Sequence, residues 1–175
     1  MERLRKILRA LFKDNLPKEN LLKKGINQAK KISSELKEKK IDFIYSSDLK
    51  RSSDTAEIIF KEHPQAHYKL LEDLRERSWG NFEGKTEEEI DFDNIKIKYQ
   101  KDFEKPPKGE DLREFYERVK KFFEFLKEKH SKNCVLIVSH KNFLRTLIGI
   151  ISNKKPEEVW DFGPISNERF YEFEI

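Results

Sequence analysis

CVLIVSHKNFLRTL, residues 134–147, contains an apolar run from Val135 to Val138 that stops abruptly at Ser139 and His140, after which a helical period begins. A short, mostly β-branched apolar run bounded by polar residues reads as a strand buried on both faces. Such strands belong to parallel sheets covered by helices. In open α/β sheets, ligands bind beyond the carboxyl ends of the strands. A histidine at this junction is therefore placed to face a ligand crevice.

The segments on either side extend the same alternation. Residues 19–39 read as a long amphipathic helix, with Leu22, Ile26, Ala29, Ile32 and Leu36 on one face. IDFIYSS (41–47) is strand-like, and DLKRSSDTAEIIFKEH (48–63) resumes a helical period that Pro64 stops. HYKLLEDL (67–74) is a short strand that enters the loop RERSWGNFEG. Residues 109–130 form a strong helix with Leu112, Phe115, Val119, Phe122, Phe123 and Leu126 as its stripe. NFLRTLIGII is a further helix, and RFYEFEI (169–175) alternates as a terminal strand. This order predicts an α/β fold, a three-layer sandwich with a mostly parallel central sheet, in a single domain over residues 1–175. Residues 85–108, closed by Pro106 and Pro107, read as a lid-like excursion.

Composition narrows the function classes. Lys and Arg outnumber Asp and Glu by 37 to 33, a mixed balance that gives no warrant for nucleic acid. One cysteine, Cys134, leaves no disulfide framework and no multi-cysteine zinc site, and it reads as core filler. No apolar run approaches a bilayer span and no signal peptide is visible, so a cytoplasmic location is expected. The phosphate-loop and dinucleotide glycine motifs do not occur. His63 and His67 are separated by Pro64, which breaks the helix that would align them on a metal. Neither a metal nor a cofactor is expected.

Chemistry-bearing residues gather after the strand ends. Ser46-Ser47-Asp48-Leu49-Lys50-Arg51 offers an arginine whose guanidinium fork suits phosphate or carboxylate. Arg75-Glu76-Arg77-Ser78-Trp79-Gly80 offers a carboxyl group able to protonate a leaving group. His140 is the third candidate. Taken singly, each has an ordinary structural explanation.

In order along the chain, IYSSDLKRSSDTAEII, LRERSWGNFEGKT, GEDLREFYERV and VLIVSHKNFLRTLI resemble the histidine phosphatase superfamily, the phosphoglycerate-mutase-like proteins. LLKKGINQAKK resembles the helix that opens after that family's first loop. The resemblance covers residues 21–175 and implies the phosphoglycerate-mutase-like fold and phosphoryl transfer through a phosphohistidine. It implies Arg51 as a clamp arginine, Glu76 as the acid and His140 as the second histidine, a phosphate holder with a catalytic role. The ligand would be a small phosphomonoester or inorganic phosphate, with no nucleic acid or membrane partner, and the chain's shortness is closer to the family's phosphatases than to its mutases. Oligomeric state leaves no mark in the sequence.

Two departures stand against these matches. The family's Arg-His-Gly nucleophile motif does not occur, and the nearest candidate is Leu8-Arg9-Ala10-Leu11. Arg9 would then be a further phosphate contact, but alanine offers no lone pair for covalent catalysis. Lys141 stands where a glycine commonly follows the second histidine; it is strained if that position needs a positive φ, and otherwise adds a cation beside the phosphate. Three readings follow: a phosphatase whose nucleophile has been replaced, a pseudoenzyme serving as a binding or regulatory module, and an enzyme active through an unrecognised base.

Residues 3–12 divide local from global pattern. Family resemblance calls for a central strand ending at Arg9-Ala10 beside residues 135–139. The residues instead favour a helix, because Leu4, Ile7, Leu8, Leu11 and Phe12 fit a helical stripe of good helix formers. Arg5 and Lys6 would also have to snorkel out of a buried strand. Helix is the expectation here.

Overall fold

The structure, a computed structural model, describes residues 6–10, 23–86, 89–91, 104–161 and 170–174. The apolar run from Val135 to Val138, together with Ser139, forms β4 (Val135–Ser139), buried at every position. Around it lie β1 (Lys6–Ala10), β2 (Phe43–Ser47), β3 (His67–Leu71) and β5 (Tyr171–Phe173). They make a five-stranded sheet of order β3-β2-β4-β1-β5. β1, β2, β3 and β4 run parallel, and β5 pairs antiparallel to β1. The four parallel strands therefore present their carboxyl ends, at Ala10, Ser47, Leu71 and Ser139, along one edge.

β4 shows why the sheet is covered on both faces. Its side chains alternate, so Leu136 and Val138 pack with Ile32, Leu36, Ile44, Ala56 and Ile59. These come mostly from α1 (Lys23–Leu36) and α2 (Lys50–Phe60). Val135 and Ile137 pack instead with Phe115, Val119, Phe122, Phe143 and Leu147. Those belong to α3 (Leu112–Lys129) and α4 (Lys141–Ile151). Each fully buried aliphatic side chain of β4 contributes roughly 1.5–3 kcal/mol. The result is the three-layer α/β sandwich with a mostly parallel sheet.

Local chemistry sets where α3 starts. The Asp111 carboxylate accepts the N–H groups of Arg113 and Glu114, each at 2.8 Å, while Glu114 accepts the Asp111 N–H at 3.1 Å. This reciprocal cap satisfies donors that the first turn cannot. It fixes the strongest helix signal in the sequence against the loop that precedes it.

Residues 6–10 overturn the helix expected over 3–12. They form β1, with Ile7 opposite Leu136, Leu8 opposite Ile137, Arg9 opposite Val138 and Ala10 opposite Ser139. An isolated helix of about ten residues is marginal in water. A strand in the slot between β4 and β5 pairs backbone groups on both sides, which buried backbone requires. The remainder of the 3–12 segment lies outside the described residues. So does most of the lid-like excursion, whose residues 87–88 and 92–103 are not described.

Cys134 is half-buried beside the cluster around Leu136, and burial pushes its thiol up to about 11. His63 is buried, whereas His67 opens β3 exposed and stacks on Phe43 with ring centroids 5.0 Å apart. Among the described residues, no helix is long and apolar enough to cross a membrane.

Candidate functional site

The carboxyl edge of the sheet gathers the sequence-predicted residues. β4 ends in Ser139, whose hydroxyl donates to the Leu74 carbonyl at 2.6 Å, and His140 follows as the cap of α4. His140 does not use its side chain to cap that helix. The ring turns toward β2 and α2, where its Nε2 lies 2.9 Å from Ser47 Oγ and 3.3 Å from Ser52 Oγ. His140 is wholly buried, and its Nδ1 has no hydrogen-bond partner among the described residues. Burial, reinforced by the charges of Arg51 and Arg118, holds its pKa well below the usual histidine value, so the ring is neutral at neutral pH.

Glu76 supplies what His140 withholds from α4. One carboxyl oxygen accepts the Asn142 N–H at 3.2 Å and the other the Arg77 N–H at 3.1 Å, and the Phe143 N–H also bonds this carboxyl. The first-turn donors of α4 are thus met by a side chain from the loop after β3, joining acid and histidine into one unit. Part of the Glu76 side chain reaches solvent, but its carboxyl is surrounded by protein. Burial pushes its pKa up, and the backbone donors and the Arg51 charge offset this only in part. A carboxyl held this way suits a general acid.

Arg51, the second residue of α2, is half-buried, and its Nε is buried with no hydrogen-bond partner among the described residues. Burial lowers its pKa while the charges of Glu76 and Glu83 raise it, which puts the guanidinium within electrostatic range of the acid. Arg51 and Glu76 therefore sense each other, and His140 senses Arg51. Two buried ring or guanidinium nitrogens without partners among the described residues are the donor set an oxyanion would satisfy.

A clamp from α3 holds the acid loop. Arg118 pairs in bidentate fashion with Glu110, Nε to Oε1 at 2.8 Å and Nη2 to Oε2 at 2.7 Å. The same guanidinium donates to the carbonyls of Asp73 at 2.7 Å, Arg75 at 3.1 Å and Glu76 at 3.4 Å. Glu110 also accepts the Ser78 N–H at 3.1 Å, and its carbonyl accepts from Arg77 Nε at 3.0 Å. Arg77 is buried and lies over the Trp79 ring. At Gly80, φ is +55° and an added Cβ would stand 2.1 Å from the Pro107 carbonyl oxygen, so only glycine lets the loop close here.

The structure thus brings Arg51, Glu76 and His140 to one edge, and by register it sets Arg9 opposite Val138 and Ala10 opposite Ser139. Lys141 begins α4 and is not among the positive-φ residues, so no strain attends its replacement of a glycine. Sequence reasoning noted the Ser46-Ser47 turn but missed Ser52, Glu110, Arg118 and Arg145. Arg145, one turn into α4, is half-buried and feels the charge of Glu76. Its signal was the spacing of five residues from His140 on a helix. Ser52 adjoins Arg51, and Arg118 lies two turns into α3 while Glu110 stands just before its cap, a pairing only the folded loop makes visible.

Three known proteins are similar to this chain. The sequence is 33% identical over 158 residues to phosphoserine phosphatase 1 of Hydrogenobacter thermophilus, covering 82% of this chain and 70% of that protein. It is 32% identical over 131 residues to phosphoglycerate mutase-like protein 4 of Arabidopsis thaliana, covering 70% of this chain and 56% of the plant protein. The fold matches the alpha-ribazole phosphatase from Shigella flexneri with a TM-score of 0.82 at 24% identity, over 98% of this chain and 91% of that one. The sequence model of the histidine phosphatase superfamily (branch 1) matches residues 16–175, leaving β1 outside the match. On that match and the bacterial relative together, the chain belongs to the histidine phosphatase superfamily.

Proposed function

We propose that this chain binds a small phosphomonoester, or inorganic phosphate, at the carboxyl edge of its sheet and does not hydrolyse it through a phosphohistidine. Arg51 and His140 would hold the phosphoryl oxygens, with Arg9 as a further contact, and Glu76 would face the ester oxygen. The observation that carries the reading is the pair of buried nitrogens without partners among the described residues, Arg51 Nε and His140 Nδ1, at the sheet edge that also holds Glu76. Positioned cations around equatorial oxygens are the main requirement of phosphoryl recognition.

The second half rests on β1. Ala10 stands level with Ser139, one residue before His140. By the family pattern this is the nucleophile's place, and a methyl group cannot form the covalent intermediate. The chain then serves as a phosphate-ligand module, whether as a phosphatase with a replaced nucleophile or as a regulatory binding protein. The name of the bacterial relative makes phosphoserine the first ester to try.

Calorimetry tests the binding. Phosphate or vanadate should bind the parent chain, and Arg51→Ala should lose more than about tenfold in affinity, since a charge-assisted bond is worth roughly 1.5–3 kcal/mol. Equal binding by the variant would refute the clamp. Hydrolysis of an aryl phosphate should stay at background, and turnover by the parent chain would favour an unrecognised nucleophile or base instead.

A further inference from the structure

The hydrogen bonds at His140 fix more than the position of its ring. Ser47 Oγ accepts the Leu49 N–H at 3.3 Å and lies 2.9 Å from His140 Nε2. A hydroxyl has one proton to donate, and lone pairs only to accept with. With Leu49 already donating to it, the Ser47 hydroxyl has His140 Nε2 as its one acceptor among the described residues. Ser52 Oγ approaches the same nitrogen at 3.3 Å. A neutral imidazole carries one proton, on one nitrogen or the other. If that proton sat on Nε2, it would meet the Ser47 hydroxyl donor-to-donor or leave the Ser47 proton without an acceptor. If it sits on Nδ1, both hydroxyls can point at the Nε2 lone pair.

We propose that Ser47, seconded by Ser52, fixes His140 as its Nδ1–H tautomer, so that Nδ1–H is the bond given to a phosphoryl oxygen. Ser47 and Ser52 are then positioning residues, acting on the ligand through the imidazole and not by touching it. Two observations agree with this. Nδ1 is buried and unpartnered, which leaves it as the ring's available donor. Burial and the neighbouring arginine charges keep the ring neutral, so it is a tautomer and not a charge that the serines must select. The distances rank the two hydroxyls, with Ser47 the stronger. The anion half of the inference rests on the phosphate-binding reading above; the tautomer half does not.

The test separates them. In ¹⁵N-histidine-labelled chain without ligand, long-range ¹H–¹⁵N spectra should show His140 Nδ1 as pyrrole-like and Nε2 as pyridine-like, the signals being assigned by their loss in His140→Gln. Ser47→Ala should move both nitrogens toward the average of the two tautomers, and Ser52→Ala should move them less. Inorganic phosphate should shift the Nδ1 signal and leave Nε2 pyridine-like, and Ser47→Ala should weaken phosphate binding by about three- to tenfold. A proton on Nε2 in the unliganded parent overturns the inference, as does a tautomer unmoved by Ser47→Ala. If Ser47→Ala does not fold, the parent spectrum and Ser52→Ala decide. If calorimetry finds no phosphate binding by the parent, the phosphate reading falls and the anion role of Nδ1 with it. An Nδ1–H tautomer that responds to the serine variants would even then support the hydroxyl control.

Discussion

His140 ties site chemistry to fold stability. Its folded pKa is depressed, so the unfolded chain takes up a proton near the ordinary value of 6.5 while the folded chain does not. The stability it contributes is whole above that value and falls as pH drops toward its folded pKa, by up to about 1.4 kcal/mol per pH unit. His63, also lowered by burial, adds a term of the same sign. Glu76 acts oppositely: its pKa is raised, so its contribution is present below the ordinary carboxyl value and lost as pH rises through its folded pKa. Two depressed histidines against one raised carboxyl should leave the parent less stable at pH 5.5 than at pH 7.5. Urea unfolding of parent and His140→Gln isolates the term, since the variant should lose part of that slope. Identical pH dependence in the two chains would show that His140 titrates alike folded and unfolded. This residue was legible from the start, because a histidine directly after a buried apolar run has few places to be. Its serine partners were harder to read: a hydroxyl's acceptor depends on which strand lies alongside, and the sequence does not state that.

Among the elements, the loop from Glu72 to Gly80 depends on α3 more than on itself. Arg118 reaches three of its carbonyls from one guanidinium, itself oriented by Glu110. The pair keeps side-chain exposures of 21% and 24%, so solvent screens it in part. Arg118→Ala should cost about 2–3 kcal/mol in urea unfolding, because Glu110 and the carbonyls lose charge-assisted donors together. Arg118→Lys should recover little of this, since an ammonium cannot present a planar fork to a carboxylate while reaching the carbonyls. A lysine variant as stable as the parent would show that charge alone suffices. α3 itself was plain in its apolar stripe, though its Asp111 cap was not read from the sequence. The clamp was not, because Glu110 and Arg118 meet the loop only after α3 has docked on the sheet.

For the whole molecule, strand order decides what the site can do. β1 lies beside β4, with Ala10 level with Ser139. Ala10→His should therefore bring an imidazole to the position proposed for the nucleophile and raise aryl phosphate hydrolysis above background. Continued inactivity in a folded variant that binds phosphate would mean that this register does not serve the chemistry. The α/β alternation, the parallel sheet and the meeting of Arg51, Glu76 and His140 at one edge were legible because each rests on a local signal: an apolar run, a helical stripe, a polar cluster at a strand end. β1 was not, because Ile7 and Leu8 fit a helix as readily as a strand, and the choice is made by neighbours far along the chain.

The same strand order constrains how the molecule folds. β2 and β3 pair Phe43–Ser47 with His67–Leu71 across one short helix, a cheap loop to close. β1, the first of the five strands in chain order, pairs Ile7 with Leu136 and Leu8 with Tyr171, so both its neighbours come from the far end of the chain. Contacts that distant in sequence form slowly. In pulsed hydrogen exchange during refolding, amides of β2 should gain protection before those of β1, and simultaneous protection would contradict this order. Until β1 is inserted, β4 has one open edge and Ala10 does not yet stand level with Ser139. The proposed phosphate site would therefore be completed late in folding, and intermediates lacking β1 should gain less stability from phosphate than the native chain does.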